Sequence, residues 1–427
     1  MEKKHPIGKK FFAVILSAVF FLLFQPASSK SAGAPPQMIK GYTDNEVIFE
    51  VASSSDAAAL ERKYNLTVTP LNSSDEDTFF LAKSISGKSV QKLIRELRRD
   101  PLVKSVQKNF RYAILSRTPN DSYASEQWSL FDTESSAGGV SAFSAWDTET
   151  KKGQRNVAIA VIDTGVNPKH KDLKKNLTKG SAKGKNFEYP KKKLSDGDGH
   201  GSFISGIIAA KTNNKRGVSG GSFYNHLRVM ALRFDFTTAQ AITAVNYAKS
   251  KSVPVINASW GSYGDEGLDL ALKDTIASYP GIFVTASGNE GFNHDDPNPN
   301  YKMYPCDFDL ANIICVGASD RDGNLTDYSD YGAASVDVAA PGGTDGNELI
   351  GPDKKKSRYT SAVGSSLSAA FVSAEAGLII SKYPNLSSLQ VIEIIKNSVD
   401  ASPSFAGKVS TSGKVNFQKA LTLAATY

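Results

Sequence analysis

Three short segments carry the residue types that acyl transfer needs. The first is an apolar run over residues 157–162 (VAIAVI), closed by Asp163, Thr164 and Gly165. A carboxylate at the end of a buried strand is costly unless something partners it. The second is Asp198-Gly199-His200-Gly201-Ser202, in which glycines flank the histidine and a small-residue helical stretch follows over residues 203–210. The third is Gly364-Ser365-Ser366-Leu367-Ser368-Ala369-Ala370, a serine among small residues at the start of a helix running towards Tyr383. A hydroxyl placed there can approach substrate without steric obstruction. Each segment alone has a plainer reading. Asp163 could cap a turn, and the serines could cap a helix. His200 is one of five histidines (with His5, His170, His226 and His294), any of which is more often structural or exposed. Together they supply a weak nucleophile, a base to take its proton and a carboxylate to orient that base.

These groups need a scaffold that brings distant segments together. Further apolar runs recur at residues 227–232, 253–258, 282–286 and 313–318, with helical stretches at 239–249 and 268–277 between them. Alternating strands and helices predict a mostly parallel sheet covered by helices on both faces. Its active site then belongs at the carboxyl ends of the strands. At 427 residues, 40% of them apolar, the chain can hold two or three domains. Residues 1–29 read as an export signal: Lys3, Lys4, Lys9 and Lys10, an apolar run over 11–24, then small residues. The apolar run is short for a membrane span, so no stable span is expected, and the lack of a cysteine after the signal argues against lipid attachment. Residues 30–115 read as a small α/β domain, with strands at 45–52, 78–82 and 103–110 and helices at 55–64 and 89–98, the second ended by Asp100-Pro101. The polar tract 116–125 marks a boundary, and residues 116–427 form the remaining domain.

The net charge of +7 gathers partly in lysines between Lys169 and Lys193. They read as a solvated surface, or as an attraction for anionic substrates or wall polymers. Nothing resembles a nucleic-acid module, so no nucleic-acid partner is expected. Export makes a local disulfide between Cys306 and Cys315 the preferred reading, with two buried free thiols as the alternative. Their spacing is not a metal signature.

The order Asp, His, Ser, in DTG, GHG and GSS contexts, resembles the subtilisin family of serine endopeptidases. The resemblance runs from Pro119 to the C-terminus. It includes Val255-Ile256-Asn257-Ala258-Ser259-Trp260-Gly261, Ala286-Ser287-Gly288-Asn289-Glu290-Gly291, Ala339-Ala340-Pro341-Gly342 and Gly413-Lys414-Val415-Asn416. Two departures, Ala370 where proline is usual and GHGSF for GHGTH, spare the three chemical groups. The resemblance implies a subtilisin-like α/β fold with Asp163, His200 and Ser366 as a triad. It also implies an oxyanion donor in Asn289, a substrate-pairing edge in Ser259, Trp260 and Gly261, and a pocket wall in Ala286, Ser287 and Gly288. Small side chains at that wall suggest an open, largely apolar pocket, with Glu290 at its rim able to accept a basic residue.

A further set resembles the thermitase branch. Asp121, Asp172 and Asn214, with the carbonyls of Lys211, Arg216 and Val218, match its calcium loop, which implies a structural Ca²⁺. The preceding α/β domain resembles the family's ferredoxin-like propeptide, implying an intramolecular inhibitor removed near residues 112–118, with residues 110–115 in the cleft beforehand. The implied product is a secreted, monomeric endopeptidase acting on protein or peptide substrates. Two other readings compete: a catalytically silent binding fold, and a dedicated protease that trims one secreted precursor.

Overall fold

A computed structural model describes residues 25–26, 42–71, 78–110, 117–264 and 269–427. They fall into two compact units, the smaller ending before Arg117. In the smaller unit, strands Tyr42–Glu50, Leu66–Pro70, Phe79–Ser84 and Ser105–Phe110 alternate with helices Ser54–Tyr64 and Val90–Leu97. The spatial strand order is 66–70, 79–84, 42–50, 105–110, with every neighbour antiparallel. This is the β-α-β-β-α-β pattern of ferredoxin-like folds. Its helices start where serines can accept orphan N–H groups: Ser53 from Asp56 N and Ser89 from Lys92 N. Val90, Leu93 and Leu97 then face one core with Val47, Phe49 and Phe80. The strand Leu66–Pro70 was not foreseen. Only Leu66 of its five residues is buried, because it lies at the sheet edge, so the hydrophobic alternation that betrays a strand is nearly absent.

The larger unit is built on one sheet of nine strands. In spatial order they are Asp400–Ala401, Gly413–Lys414, Val338–Pro341, Ile313–Ser319, Ile282–Ala286, Val255–Ala258, Val157–Asp163, Leu227–Arg233 and Lys185–Asn186. Every pairing is parallel except the outermost, 400–401 with 413–414. Successive residues of a strand point to opposite faces. Ile159 and Val161 therefore join one core with helices His200–Ala209 and Ser365–Lys382. Ala160 and Ile162 join another with helices Thr238–Ser250 and Leu270–Ala277. That double burial is why the strands read as continuous apolar runs rather than alternating ones.

The helix Ser365–Lys382 is buried along nearly its whole length, which its serines and alanines permit. Glu375 lies within it with neither carboxylate oxygen hydrogen-bonded among the described residues. Burial disfavours its charged form and drives its pKa well up, against the opposing attraction of Lys414. Cys306 and Cys315 form a disulfide, tying the turn after Tyr304 to the strand Ile313–Ser319. Among the described residues, no helix is long and apolar enough to cross a membrane. The expected export signal lies, apart from Gln25 and Pro26, outside the described residues.

Candidate active site

Asp163 is the last residue of the strand Val157–Asp163, and His200 the first of the helix His200–Ala209. The next strand over, Leu227–Arg233, pairs Arg233 with Asp163, so the carboxylate sits at the carboxyl end of the sheet. His200 Nδ1 lies 2.8 and 2.9 Å from the two Asp163 oxygens, and the aspartate is fully buried. The approach requires Gly201. A Cβ there would collide with the carbonyl oxygen of Gly165.

The start of the histidine helix is anchored by residues the sequence reading passed over. Asp196 accepts hydrogen bonds from Gly199 N at 2.8 Å and Ser202 N at 2.8 Å, satisfying N–H groups that have no partner inside the helix. It also accepts from Thr164 Oγ1 at 3.0 Å, and Thr164 Oγ1 accepts from Gly201 N at 2.9 Å. The available signal was an aspartate a few residues before a helix start, a common capping arrangement. Burial raises the Asp196 pKa and its N–H donors oppose the rise, while the like charge of Asp163 adds to it.

Burial alone would depress the His200 pKa. The charge and hydrogen bond of Asp163 outweigh it, aided by Asp198 and Asp196, and the net shift is upward. An imidazole so placed is a stronger base, and its charged form has a buried counter-ion waiting.

Ser366 occupies the first turn of the helix Ser365–Lys382, after Gly364 at φ +142°. Its hydroxyl donates to the carbonyl of Ser259 at 3.3 Å, and Ser259 Oγ donates back to the Ser366 carbonyl at 2.7 Å. Behind them, Asn257 Nδ2 donates to Ser259 Oγ at 2.9 Å and Ser373 Oγ donates to Asn257 Oδ1 at 2.9 Å. The serine turn is thus fixed from two sides. Helices His200–Ala209 and Ser365–Lys382 pack against each other, but no hydrogen bond joins the Ser366 and His200 side chains. The hydroxyl has taken the carbonyl of Ser259 instead, an acceptor it can exchange by rotating about Cα–Cβ.

Asn289 Oδ1 accepts from Ser365 N at 2.8 Å. That bond fixes the amide plane beside Gly364 and leaves Nδ2 to donate elsewhere. Ala286 ends a buried strand, and Ser287 and Gly288 follow it, also buried. Ser287 Oγ donates to the Asp330 carbonyl at 3.0 Å, so it serves the loop and not a ligand. Ser259, Trp260 and Gly261 leave the end of the strand Val255–Ala258 without a strand partner of their own among the described residues. Trp260 is pinned by its Nε1 donating to Ile162 O at 2.8 Å and by its ring against Phe234. Glu290 is exposed at the rim.

Of the expected calcium ligands, Asp121, Asp172, Asn214 and Lys211 gather around one loop. Asp121 accepts from Asn213 N, Asn214 N and Ser219 Oγ, while Asp172 accepts from Asn214 Nδ2, Val218 N and Tyr359 Oη. Burial raises the Asp121 pKa, its donors lower it, and the Asp172 charge raises it further. The Asn214 side-chain oxygen is buried with no partner among the described residues. Two neighbouring buried carboxylates and an orphaned amide oxygen suit a hard cation. The Lys211 carbonyl accepts from Asn214 Nδ2 at 2.6 Å. No contact of the Arg216 or Val218 carbonyls bears on the site.

Comparison with known proteins gives the family. A subtilase family profile matches residues 154–418. The chain is 31% identical to thermitase of Thermoactinomyces vulgaris over 308 residues, covering 71% of this chain and 99% of that one. It is 27% identical to a thermophilic serine proteinase of Bacillus sp. (strain AK1), over 95% of this chain and 96% of the relative. Among solved structures, it resembles a protease from Pseudoalteromonas arctica at 25% identity and TM-score 0.59, over 72% of this chain and all of that one. It shares the fold of the epidermin leader peptide processing serine protease of Staphylococcus aureus at 22% identity and TM-score 0.60, over 90% and 99% of the two chains. With the matched segment spanning Asp163, His200 and Ser366 and the open sheet that carries them, the chain belongs to the subtilase family and is a subtilisin-like serine endopeptidase.

Proposed function

We propose that this chain is the precursor of a secreted endopeptidase that matures by cutting itself. In this reading Asp163, His200 and Ser366 are the triad. The observation that carries the reading is the bond from His200 Nδ1 to a fully buried Asp163, at the head of a helix packed on the one that begins with Ser365 and Ser366. His200 Nε2 takes the Ser366 proton as the hydroxyl attacks a peptide carbonyl, and Asp163 holds the resulting imidazolium. The oxyanion accepts hydrogen bonds from Asn289 Nδ2–H and the Ser366 backbone N–H, a contribution of about 3–4 kcal/mol per donor. His200 then passes its proton to the leaving amine, and water, deprotonated by the same imidazole, releases the acyl group. The substrate lies extended against residues 259–261 and 286–288, pairing backbone to backbone.

Residues 1–29 act as the export signal. Residues 30–115 act as a folding aid and inhibitor, released near residues 112–118, most of which lie outside the described residues. A Ca²⁺ would be held by Asp121, Asp172 and Asn214 with the carbonyls of Lys211, Arg216 and Val218. It would neutralise two crowded carboxylates and brace their loop. The mature enzyme is monomeric. The test is expression of the precursor beside Ser366→Ala, with N-terminal sequencing. The wild type should shorten to a chain beginning near residues 112–118 while the variant stays full length. Equal processing of both would defeat self-cleavage.

A further inference from the structure

Beneath the loop that carries Asn289 lies His294, one of three buried histidines outside the proposed triad, with His170 and His226. His294 is fully buried, and both ring nitrogens meet carboxylates. Nδ1 is 2.9 Å from Asp307 Oδ2 and Nε2 is 3.3 Å from Asp330 Oδ2. An imidazole can donate from both nitrogens only when doubly protonated. Asp330 is the centre of the arrangement. Its Oδ1 accepts from Glu290 N at 2.8 Å and Phe292 N at 2.9 Å, and its Oδ2 accepts from Tyr263 Oη at 2.5 Å. Its backbone N donates to the Gly288 carbonyl at 3.2 Å. Gly288 sits at φ +119°, and a Cβ there would collide with Asp330 and Tyr263. One residue therefore holds the backbone on both sides of Asn289, its carboxylate at Glu290 and Phe292 and its backbone N–H at Gly288. His294, Cys306 and Asp307 also cluster as metal-binding residues do, but the Cys306 sulfur is committed to the disulfide and can supply no thiolate.

We propose that His294 is a positioning residue for proteolysis: its imidazolium, clamped between Asp307 and Asp330, locks the 288–292 loop that presents Asn289 to the oxyanion and walls the adjacent pocket. The inference rests on the reading of Asn289 as an oxyanion donor. The titratable and charged groups facing His294 are few. Asp307 and Asp330 flank the ring, Tyr263 lies across Asp330, and Lys302 donates to the His294 backbone carbonyl. Burial opposes the charge on His294, the two aspartates outweigh it, and its pKa rises to about 9. A histidine with a raised folded-state pKa stabilises fully below its unfolded value and loses that contribution as pH climbs through the folded value. The loop's grip should therefore loosen on the alkaline side, where the ring becomes neutral and one of its two donors is lost.

The test compares the mature wild type with Asp307→Asn and His294→Gln on a peptide amide substrate, following kcat and KM against pH well below each melting temperature. Asp307→Asn should move the alkaline fall in kcat down by about one to two pH units, leaving the acid limb, set by His200, in place. His294→Gln should lower kcat about tenfold through loss of positioning, with little change in KM and no alkaline fall of this origin. Unchanged profiles in both variants would overturn the proposal, even if their melting temperatures drop. Should either variant fail to fold, NMR titration of His294 in the Ser366→Ala protein decides. A ring still charged at pH 8 supports the clamp, and a neutral ring at pH 7 overturns it. Asn289→Ala run alongside separates the two readings. Full turnover in that variant would sink the oxyanion assignment. A crippled Asn289→Ala with unaltered His294 and Asp307 profiles would sink this inference alone.

Discussion

His200 and His294 are both imidazoles held in the protein interior by buried aspartates, yet they are built for opposite tasks. His200 gives one nitrogen to Asp163, and in the proposed mechanism its other nitrogen carries the proton. His294 has both nitrogens occupied, by Asp307 and Asp330, and has no route to substrate. The same ionic chemistry serves as a proton carrier when half the ring is free and as a fixed strut when none is. The surroundings follow suit. Around His200 the aspartates Asp196 and Asp198 hold the backbone at the helix start, and around His294 the aspartate Asp330 holds the Asn289 loop. In the proposed reading, one cluster moves charge and the other keeps the geometry into which charge moves.

The largest effect expected from breaking the first cluster is at its nucleophile. Ser366→Ala should lower kcat by roughly 10⁶-fold, the size of nucleophile removal in enzymes of this family. Active-site titration with a chromogenic peptide measures it. Asn289→Ala removes a donor that the second cluster positions. It should cost about 10²–10³ in kcat with KM little changed, again the size found in this family. The His294 and Asp307 variants should cost less: His294→Gln about tenfold in kcat with its alkaline fall gone, and Asp307→Asn mainly an earlier alkaline fall. Weaker still, and read in stability, is calcium removal. Excess chelator should lower the melting temperature of the mature protein by about 5 °C, as loss of a ligand present at many times its Kd does. An unchanged scanning-calorimetry trace would refute the site. Smallest is Glu375→Gln. The folded carboxyl has a raised pKa, so the native state binds more protons and loses stability as pH rises above the unfolded value. Gln removes that loss. The melting temperature should rise by about 3 °C at pH 8 and be unaltered at pH 4, and equal shifts at both would contradict the raised pKa.

The pairing of Asp163 with His200 was legible in the sequence and the surroundings of His294 were not, for physical reasons. Asp163, His200 and Ser366 lie in runs of glycine and small residues that close approach imposes, and Gly201 has no space for a side chain. Such constraints leave a pattern in consecutive letters. The central strands were equally plain, because burial on both faces makes them uninterrupted apolar runs. His294, Asp307 and Asp330 are separated along the chain and embedded in irregular loops, with no period or spacing to join them. Asp196 was missed for a similar reason: an aspartate before a helix is common, and only the fold shows that it binds the turn holding His200. The edge strand Leu66–Pro70 buries one residue and so carried no signal. The disulfide was left open by the sequence because nine residues of separation allow pairing without requiring it.

The account stands on one hydroxyl being activated by one imidazole. Treatment of the mature enzyme with a fluorophosphonate, followed by peptide mass mapping, tests this most directly. The prediction is a single adduct per chain, on Ser366, whose formation slows by orders of magnitude in His200→Ala. No adduct on a folded chain, an adduct on another serine, or labelling indifferent to His200 would contradict it.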